Sequence, residues 1–367
     1  MDIALFAIGL IIVLLTSASI LFTEVLPRKP GVFERPSIFV LSSVRWLFVT
    51  FSRLFKSYEA KDSVLAPIGP VALVGQLLVW SALLIVGFAL MLNDTTHSIA
   101  NAFIQATASL FTVGADQVGG PRNTTIDIAA GALWVVVVAL QIAYLPALYG
   151  SFNRREALVA QLESRSGLPA WGPEVLIRHQ LVAITDTLPD FYSAWESWSA
   201  ELAESHTTYP VLLYFRSPET YYSWIIALLA VLDAAALHLA VSPKTASSNA
   251  RLCLRMGFTA LNRIATSQGW RVDLDPNPDG TIDLTYKEFE AAVAQLAATG
   301  FVMERSAEEA WPHFIGWRVN YETNAYRLAD LVVAPMAPWS GPRRHLKESV
   351  ENPHRPPHRS PSATAKK

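Results

Sequence analysis

The chain has 367 residues, of which 51% are hydrophobic and 16% are charged, against about 25% charged residues in an average soluble domain. With a mean hydropathy of +0.29, this composition excludes an ordinary soluble protein and indicates a membrane protein with a soluble part. The net charge of −2 gives no reason to expect nucleic acid as a partner, and the one cysteine, Cys253, excludes an intrachain disulfide.

Three uncharged segments are long enough to cross a bilayer as helices, which takes about 20 residues. They run from Ile3 to Thr23, from Val71 to Met91 and from Ile128 to Tyr149. The first segment could instead be a signal peptide, but no basic residue precedes it and its apolar run is too long. We therefore expect residues 1–27 to form a retained N-terminal transmembrane helix.

The distribution of Lys and Arg predicts the orientation, because these residues accumulate on the cytoplasmic side. The segment between the first two spans carries seven of them, whereas the loop between the second and third spans carries only Arg122. We expect the N-terminus outside, residues 28–70 as a cytoplasmic linker and the C-terminal half in the cytoplasm. Residues 37–55 of the linker mix aromatic and aliphatic side chains with arginines, which is typical of an amphipathic helix on the membrane surface. Packing on the cytoplasmic domain is the alternative.

The loop over residues 92–127 is far longer than a plain connection between two helices needs. It contains a short apolar segment, SIANAFIQATASLFTVG at residues 98–114, which is helical in composition but cannot cross the bilayer. A short apolar helix followed by a glycine-containing turn is typical of a re-entrant segment. Such a segment is tolerated at membrane depth only where it is buried in protein or lines water.

The order and lengths of these elements over residues 71–150 resemble the pore module of potassium channels: outer helix, pore helix, filter and inner helix. The residues that carry the resemblance are Thr112, Val113 and Gly114 of the filter, and Ala102 and Ser109 of the pore helix. The resemblance implies an all-α membrane pore module that passes cations, with an extended run of filter carbonyls from four copies stripping the ion of water. We expect a homotetramer in lipid, because one chain carries one such turn.

The filter departs from the family after Gly114, because Ala115, Asp116 and Gln117 stand where the family has Tyr-Gly-Asp. The bracing tyrosine is lost, and Asp tolerates the backbone angles of the second glycine less easily. The altered filter TVGAD leaves potassium-preferring conduction, non-selective or sodium-permeable conduction, and no conduction as alternatives. We expect potassium to be the permeating ion and no cofactor to be bound. A non-conducting scaffold or sensor on a degenerate pore fold is the alternative function.

Three residues of the third span are candidates for gating. Gly131 is the natural hinge, Gln141 is the only amide in mid-span, and Pro146 lies near the cytoplasmic end. Their positions predict a gate between Gln141 and Pro146. Simple helix packing explains the same residues equally well.

A fourth apolar segment, Tyr221 to Ser242, is also long enough to span, but it carries Asp233 in its middle. A charge there costs about 3 kcal/mol on insertion scales. A Ser-Pro-Glu sequence shortly before the segment is typical of the start of a soluble helix. We therefore expect a buried helix of a cytoplasmic bundle, in which Asp233 and His238 need partners.

The rest of residues 151–340 shows helical patterns and is long enough for its own core. Helices are predicted over Asn249–Ser267, Tyr286–Ala298 and Ser306–Leu331. Seven apolar residues recur at spacings of three and four, which predicts a helix face in the core. Pro189 lies among them, so we expect either two helices or one kinked helix. The stripe consists of Leu181, Ile184, Leu188, Phe191, Trp195, Trp198 and Leu202.

Residues 206–237 and 311–341 resemble the C-terminal region of uncharacterised bacterial channel-like membrane proteins, which implies a multi-pass protein of the bacterial plasma (inner) membrane. We find no nucleotide-binding loop and no Ser-His-Asp arrangement with supporting context, so we expect no enzyme and no catalytic residue. Residues 275–283 imitate the first half of a calcium-binding loop, but Tyr286 stands where the bidentate Glu belongs. We expect a polar turn and no metal site there. The Pro-rich, basic tail, residues 341–367, is predicted to be disordered.

Overall fold

A computed structural model describes residues 3–25, 35–96, 98–114, 120–342 and 355 of the chain. These residues form an all-helical fold in which no strand occurs, as the sequence predicted, and four of the helices are long and apolar enough to cross a membrane. Of the predicted features, linker residues 28–34, filter residues Ala115 and Asp116, and nearly all of the tail beyond residue 342 lie outside the described residues.

The chain divides into two compact units, which are Met1–Asn153 with Ser205–Arg216, and Arg154–Glu204 with Ser217–Lys367. The helices that begin in the first unit are α1 (Ile3–Glu24), α2 (Arg35–Ser52), α3 (Tyr58–Leu65), α4 (Ile68–Leu92), α5 (Ile99–Leu110) and α6 (Pro121–Ser166). The helices that begin in the second unit are α7 (Gly172–Leu181), α8 (Leu188–Thr208), α9 (Trp224–Val241), α10 (Ser248–Ser267), α11 (Tyr286–Ala298), α12 (Ala307–Arg318) and α13 (Glu322–Leu331).

In the first unit, α1 packs closely along α4 because each helix has a glycine at the crossing. A Cβ atom on Gly9 would lie 2.4 Å from the carbonyl oxygen of Gly87, and one on Gly87 would lie 2.7 Å from Val13 Cγ2. Small residues at a crossing let two membrane helices gain van der Waals contact. Further along the same pair, the Trp80 indole donates a hydrogen bond to Ser19 Oγ at 3.3 Å. Helix α1 is therefore an integral part of this unit.

In the second unit, α9 is the central helix, and each of its 18 residues is buried. Asp233 lies in its middle, 3.2 Å from Arg318 Nη1, and accepts a hydrogen bond from the Tyr321 hydroxyl at 2.7 Å. Arg318 also donates to Glu322 at 2.7 Å. The Tyr192 hydroxyl lies 3.3 Å from His238 Nδ1. The predicted buried helix is thus present, and both of its polar residues have partners.

Three predicted features of the helices differ in the structure. Helix α6 does not end with its apolar run near Tyr149 but continues to Ser166, because polar residues continue a helix as well as apolar ones do. The predicted helix Ser306–Leu331 is divided into α12 and α13. The predicted core stripe is wrong for its first two residues, because Leu181 and Ile184, at and just after the end of α7, are 52% and 36% exposed. Its other members, which all belong to α8, are buried.

Candidate functional site

The segment between α4 and α6 forms a short helix and a turn. Helix α5 has 12 residues and is preceded by its N-cap Ser98, whose hydroxyl accepts a hydrogen bond from the backbone N–H of Asn101. At 1.5 Å per residue it is about 18 Å long, roughly half the thickness of a bilayer core. Its buried face includes Ala102, Ala106 and Leu110, each with no exposed surface. The predicted short apolar helix is therefore present, and Ala102 lies on its packed side.

The turn after α5 is closed by a Schellman motif. The N–H of Val113 donates to the Ala108 carbonyl at 3.0 Å, and the N–H of Thr112 donates to the Ser109 carbonyl at 3.3 Å. The motif needs a left-handed residue directly after the helix, and Thr112 has a φ of 56°. Left-handed backbone costs a β-branched residue about 1–2 kcal/mol. The prediction of an extended backbone that lines up the filter carbonyls is thus wrong at Thr112. Gly114 is also left-handed, with a φ of 70°.

The backbone polarity of this turn is one-sided. The N–H groups of Phe111, Thr112 and Val113 all donate to carbonyls of α5. No described residue donates a hydrogen bond to the carbonyl of Thr112, Val113 or Gly114. The C-terminal end of a helix also carries partial negative charge. The turn therefore offers oxygen atoms to its surroundings and few hydrogen-bond donors, which favours a cation over an anion as its ligand.

A buried carboxylate on α6 holds α5 in place from behind. Asp127 is 8% exposed. One of its oxygens accepts a hydrogen bond from Ser109 Oγ at 2.6 Å, and the other accepts one from Gln105 Nε2 at 2.8 Å. Hydrogen bonds to a carboxylate are stronger than neutral ones, so this pair fixes the helix end that precedes the turn. Predicted site residue Ser109 thus points to α6.

Asp127 is the functional candidate that sequence reasoning missed. The signal was Gln105 and Ser109, which are two polar residues four apart in an apolar helix. Residues at that spacing lie on one face. Two buried donors on one face of a membrane helix require an acceptor on the neighbouring helix. Asp127 is the charged residue directly before the next predicted span, which begins at Ile128.

Two further residues of α6 contact the turn region, and with Asp127 they follow the spacing of one helix face. A Cβ atom on Gly131 would lie 3.3 Å from the Ser109 carbonyl oxygen and 3.6 Å from Thr112 Cγ2. Glycine at this position therefore leaves room for the end of α5. The Trp134 ring packs edge to face against Phe111, with ring centroids 5.0 Å apart.

The other predicted gating residues lie further along the same continuous helix. Gln141 donates a hydrogen bond to Glu24 at the end of α1. Pro146 lies inside α6, and the helix continues through it. The structure thus links Gly131 to the turn after α5 and Gln141 to α1. The hinge and gate roles of all three residues stay predictions.

Polar pairs connect the end of α4 with the beginning of α6. Arg122 lies 3.5 Å from Asp94, and the Thr95 hydroxyl donates to Asn123 at 2.9 Å. In contrast, much of α6 is apolar and open in the single chain, since Ile128, Val135, Val136 and Ile142 are 51–67% exposed. Exposed apolar area of this kind is the mark of a surface that meets lipid or another protein chain.

Within the described residues there is no group of three or more His, Cys, Asp or Glu side chains that could hold a metal ion. Residues 275–283, which resemble the first half of a calcium-binding loop, precede α11, where Thr285 and Glu288 form a capping box. Comparison of the whole chain with protein-family models, with curated proteins and with solved structures finds no match.

Proposed function

We propose that the chain is the subunit of a homotetrameric cation channel in which the turn at residues 112–114 forms part of the filter TVGAD. The observation that carries this proposal is the one-sided polarity of the turn, whose carbonyl oxygens have no donor among the described residues. Four such turns around an axis supply a ring of oxygens that can replace the water around a cation. Potassium is the ion we expect to be preferred.

The arrangement around the turn supports this function. A long apolar helix, a half-span helix, a turn and a second long apolar helix follow each other as α4, α5, residues 112–114 and α6. The bonds from Ser109 and Gln105 to Asp127 fix the helix end before the turn against α6. The exposed apolar face of α6 suits contact with neighbouring copies and with lipid. In the proposed channel, Ala115 and Asp116 are the remaining residues of the filter sequence TVGAD.

The proposed site of action is the bacterial plasma membrane, and no enzymatic activity is proposed. The distribution of Lys and Arg supports an N-terminus outside, a loop from α4 to α6 outside and the second unit in the cytoplasm. In this orientation the filter turn faces the outer side, and the second unit is available for assembly or regulation.

The test is a recording of the purified full chain in planar bilayers under a potassium gradient. We expect a potassium current that Gly114→Ala abolishes, because a side chain at a φ of 70° displaces the neighbouring carbonyls. Gly300→Ala is the matched control, since Gly300 has a φ of 80° and equally open surroundings but lies in the second unit. Thr112→Ala is expected to reduce the current and alter ion preference, and the exposed Thr125 provides its control as Thr125→Ala.

A second measurement is the mass of the detergent-solubilised complex, which we expect to equal four chains. An unmodified chain that stays silent under varied voltage, pH and ligands would contradict the channel and favour the non-conducting scaffold or sensor. A current that survives Gly114→Ala unchanged would instead remove the filter from residues 112–114.

A further inference from the structure

The first unit contains a cavity where α1 ends and α4 begins. It has a volume of about 100 Å³ and lies between α1, α2, α4, α6 and the segment around Pro210. Its walls are mostly apolar and include Phe22, Leu41, Ala72 and Leu73. An apolar cavity with a few polar groups is the usual form of a site for a small ligand.

One wall of this cavity carries a buried amide without a partner. Gln76 is 7% exposed, and its Nε2 atom has no hydrogen-bond partner among the described residues. A buried donor that is left unpaired costs about 1–3 kcal/mol. Gln76 also lines the cavity, so a ligand that enters with an oxygen acceptor can satisfy this amide.

The border of the cavity indicates where the ligand comes from. Ile38 of α2 lines the cavity and is also 46% exposed. The same helix exposes Phe39 at 72% and Trp46 at 67%, and large aromatic residues of this kind partition into the membrane interface. A helix with such a surface places the cavity next to lipid acyl chains. The described lining contains no Lys, Arg, Asp or Glu to hold a charged head group.

We propose that this cavity binds an acyl chain headed by a carbonyl, whose oxygen accepts a hydrogen bond from Gln76 Nε2 while its first methylene groups fill the apolar lining. The ligand source is the surrounding membrane. This inference does not rest on ion conduction, since it needs only the cavity and the unpaired amide.

The test uses the delipidated full chain in detergent, with binding measured by native mass spectrometry. Two probes differ only at the carbonyl: monooleoylglycerol is an ester, and the corresponding oleyl glycerol ether lacks the carbonyl oxygen. We expect the ester to bind about five- to tenfold more tightly, which corresponds to one net hydrogen bond. Oleic acid is the third probe, and its affinity relative to the ester distinguishes a free fatty acid from an esterified lipid as the source.

Two variants and a control connect the binding to this cavity. Gln76→Leu removes the donor, so we expect it to abolish the preference for the ester over the ether. Ala72→Phe fills the cavity and is expected to remove binding of both probes. Leu78→Phe adds a similar ring on an exposed face of α4, where Leu78 is 64% exposed, and should change neither affinity.

Equal affinity of the ester and the ether for the unmodified chain would overturn the proposal. A preference for the ester that survives Gln76→Leu would overturn it as well. If Ala72→Phe does not fold, the comparison of the two probes on Gln76→Leu still decides the question.

Discussion

The apolar stretch of α6 and helix α9 have the same hydropathy but opposite surroundings. Their most apolar 18-residue windows share a mean hydropathy of 2.2, yet 17% of that window is buried in α6 and 100% in α9. Hydropathy shows only that both helices avoid water. It does not show whether lipid or protein covers them. Polar residues inside the apolar run carry that information, because each one needs a partner of a particular kind.

Each of the two helices contains a buried aspartate, and the two carboxylates are satisfied differently. Asp127 of α6 accepts hydrogen bonds from neutral donors, Ser109 and Gln105. Asp233 of α9 contacts the guanidinium of Arg318, which is itself fully buried. A buried ion pair is stable only while both partners remain. Hence the core of the second unit depends on charge compensation, whereas the attachment of α5 to α6 depends on hydrogen bonds.

The largest effect is expected for Arg318→Met, which leaves Asp233 and Glu322 buried without their cation. Removing one partner of a buried pair costs about 3–5 kcal/mol. The measurement is thermal unfolding of the full chain in detergent, with tryptophan fluorescence as the signal. Arg154→Met is the matched control, because the Arg154–Glu201 pair is 61% and 59% exposed and such pairs are worth about 0–1 kcal/mol. Equal effects of the two substitutions would contradict the role of the buried network.

A medium effect is expected at Asp127. Asp127→Ala leaves two buried donors unpaired, at a cost of about 2 kcal/mol. Asp127→Asn can still accept from Ser109, so we expect about half that loss. In the proposed channel, the alanine variant should also lose more current than the asparagine variant, because the end of α5 is no longer held.

The control for these variants is Asp94→Ala, because Asp94 pairs with Arg122 at 3.5 Å and both side chains are about one-third exposed. We expect it to change the unfolding temperature little. If Asp127→Ala were as mild as Asp94→Ala, the carboxylate would not be the element that holds α5.

The contrast between the helices also shows what could be predicted from the sequence. One charge in an apolar run was enough to place α9 in a protein core. The sequence could not name Arg318 as its partner, because that contact depends on how α12 packs against α9. The end of α6 was misplaced because the prediction relied on the apolar run, which ends near Tyr149. Polar residues after it continue the helix to Ser166.

The candidate site, like the helices, could be predicted only in part. The half-span helix and the glycine turn follow from local composition, and α5 lies within the predicted residues. The left-handed Thr112 was not predictable, because a Schellman motif is expected to use glycine. The sequence also did not predict that Leu181 and Ile184 are exposed. Their spacing continues a helical stripe, but α7 ends at Leu181, so the later position no longer lies on that helix face.

The smallest effect is expected at His179, and it tests whether this buried histidine makes the fold sensitive to mild acid. His179 Nδ1 lies 2.6 Å from the Val175 carbonyl oxygen, so this nitrogen donates. Arg165 Nη1 lies 3.1 Å from Nε2, so the second nitrogen accepts. Burial lowers the pKa of His179, the carbonyl contact opposes that change, and the nearby Arg165 charge adds to it. The folded state therefore holds the imidazole neutral, whereas the unfolded chain protonates it with an ordinary pKa of about 6.5.

Because the pKa of His179 is lower in the folded state, the unfolded state binds more protons as the pH falls below about 6.5, and stability is lost in that direction. We expect the unfolding temperature of the unmodified chain to fall more between pH 7 and pH 5 than that of His179→Gln, which cannot titrate. His313→Gln, at an exposed position of α12, should retain the full fall. Parallel pH profiles for the unmodified chain and His179→Gln would show that acid acts elsewhere.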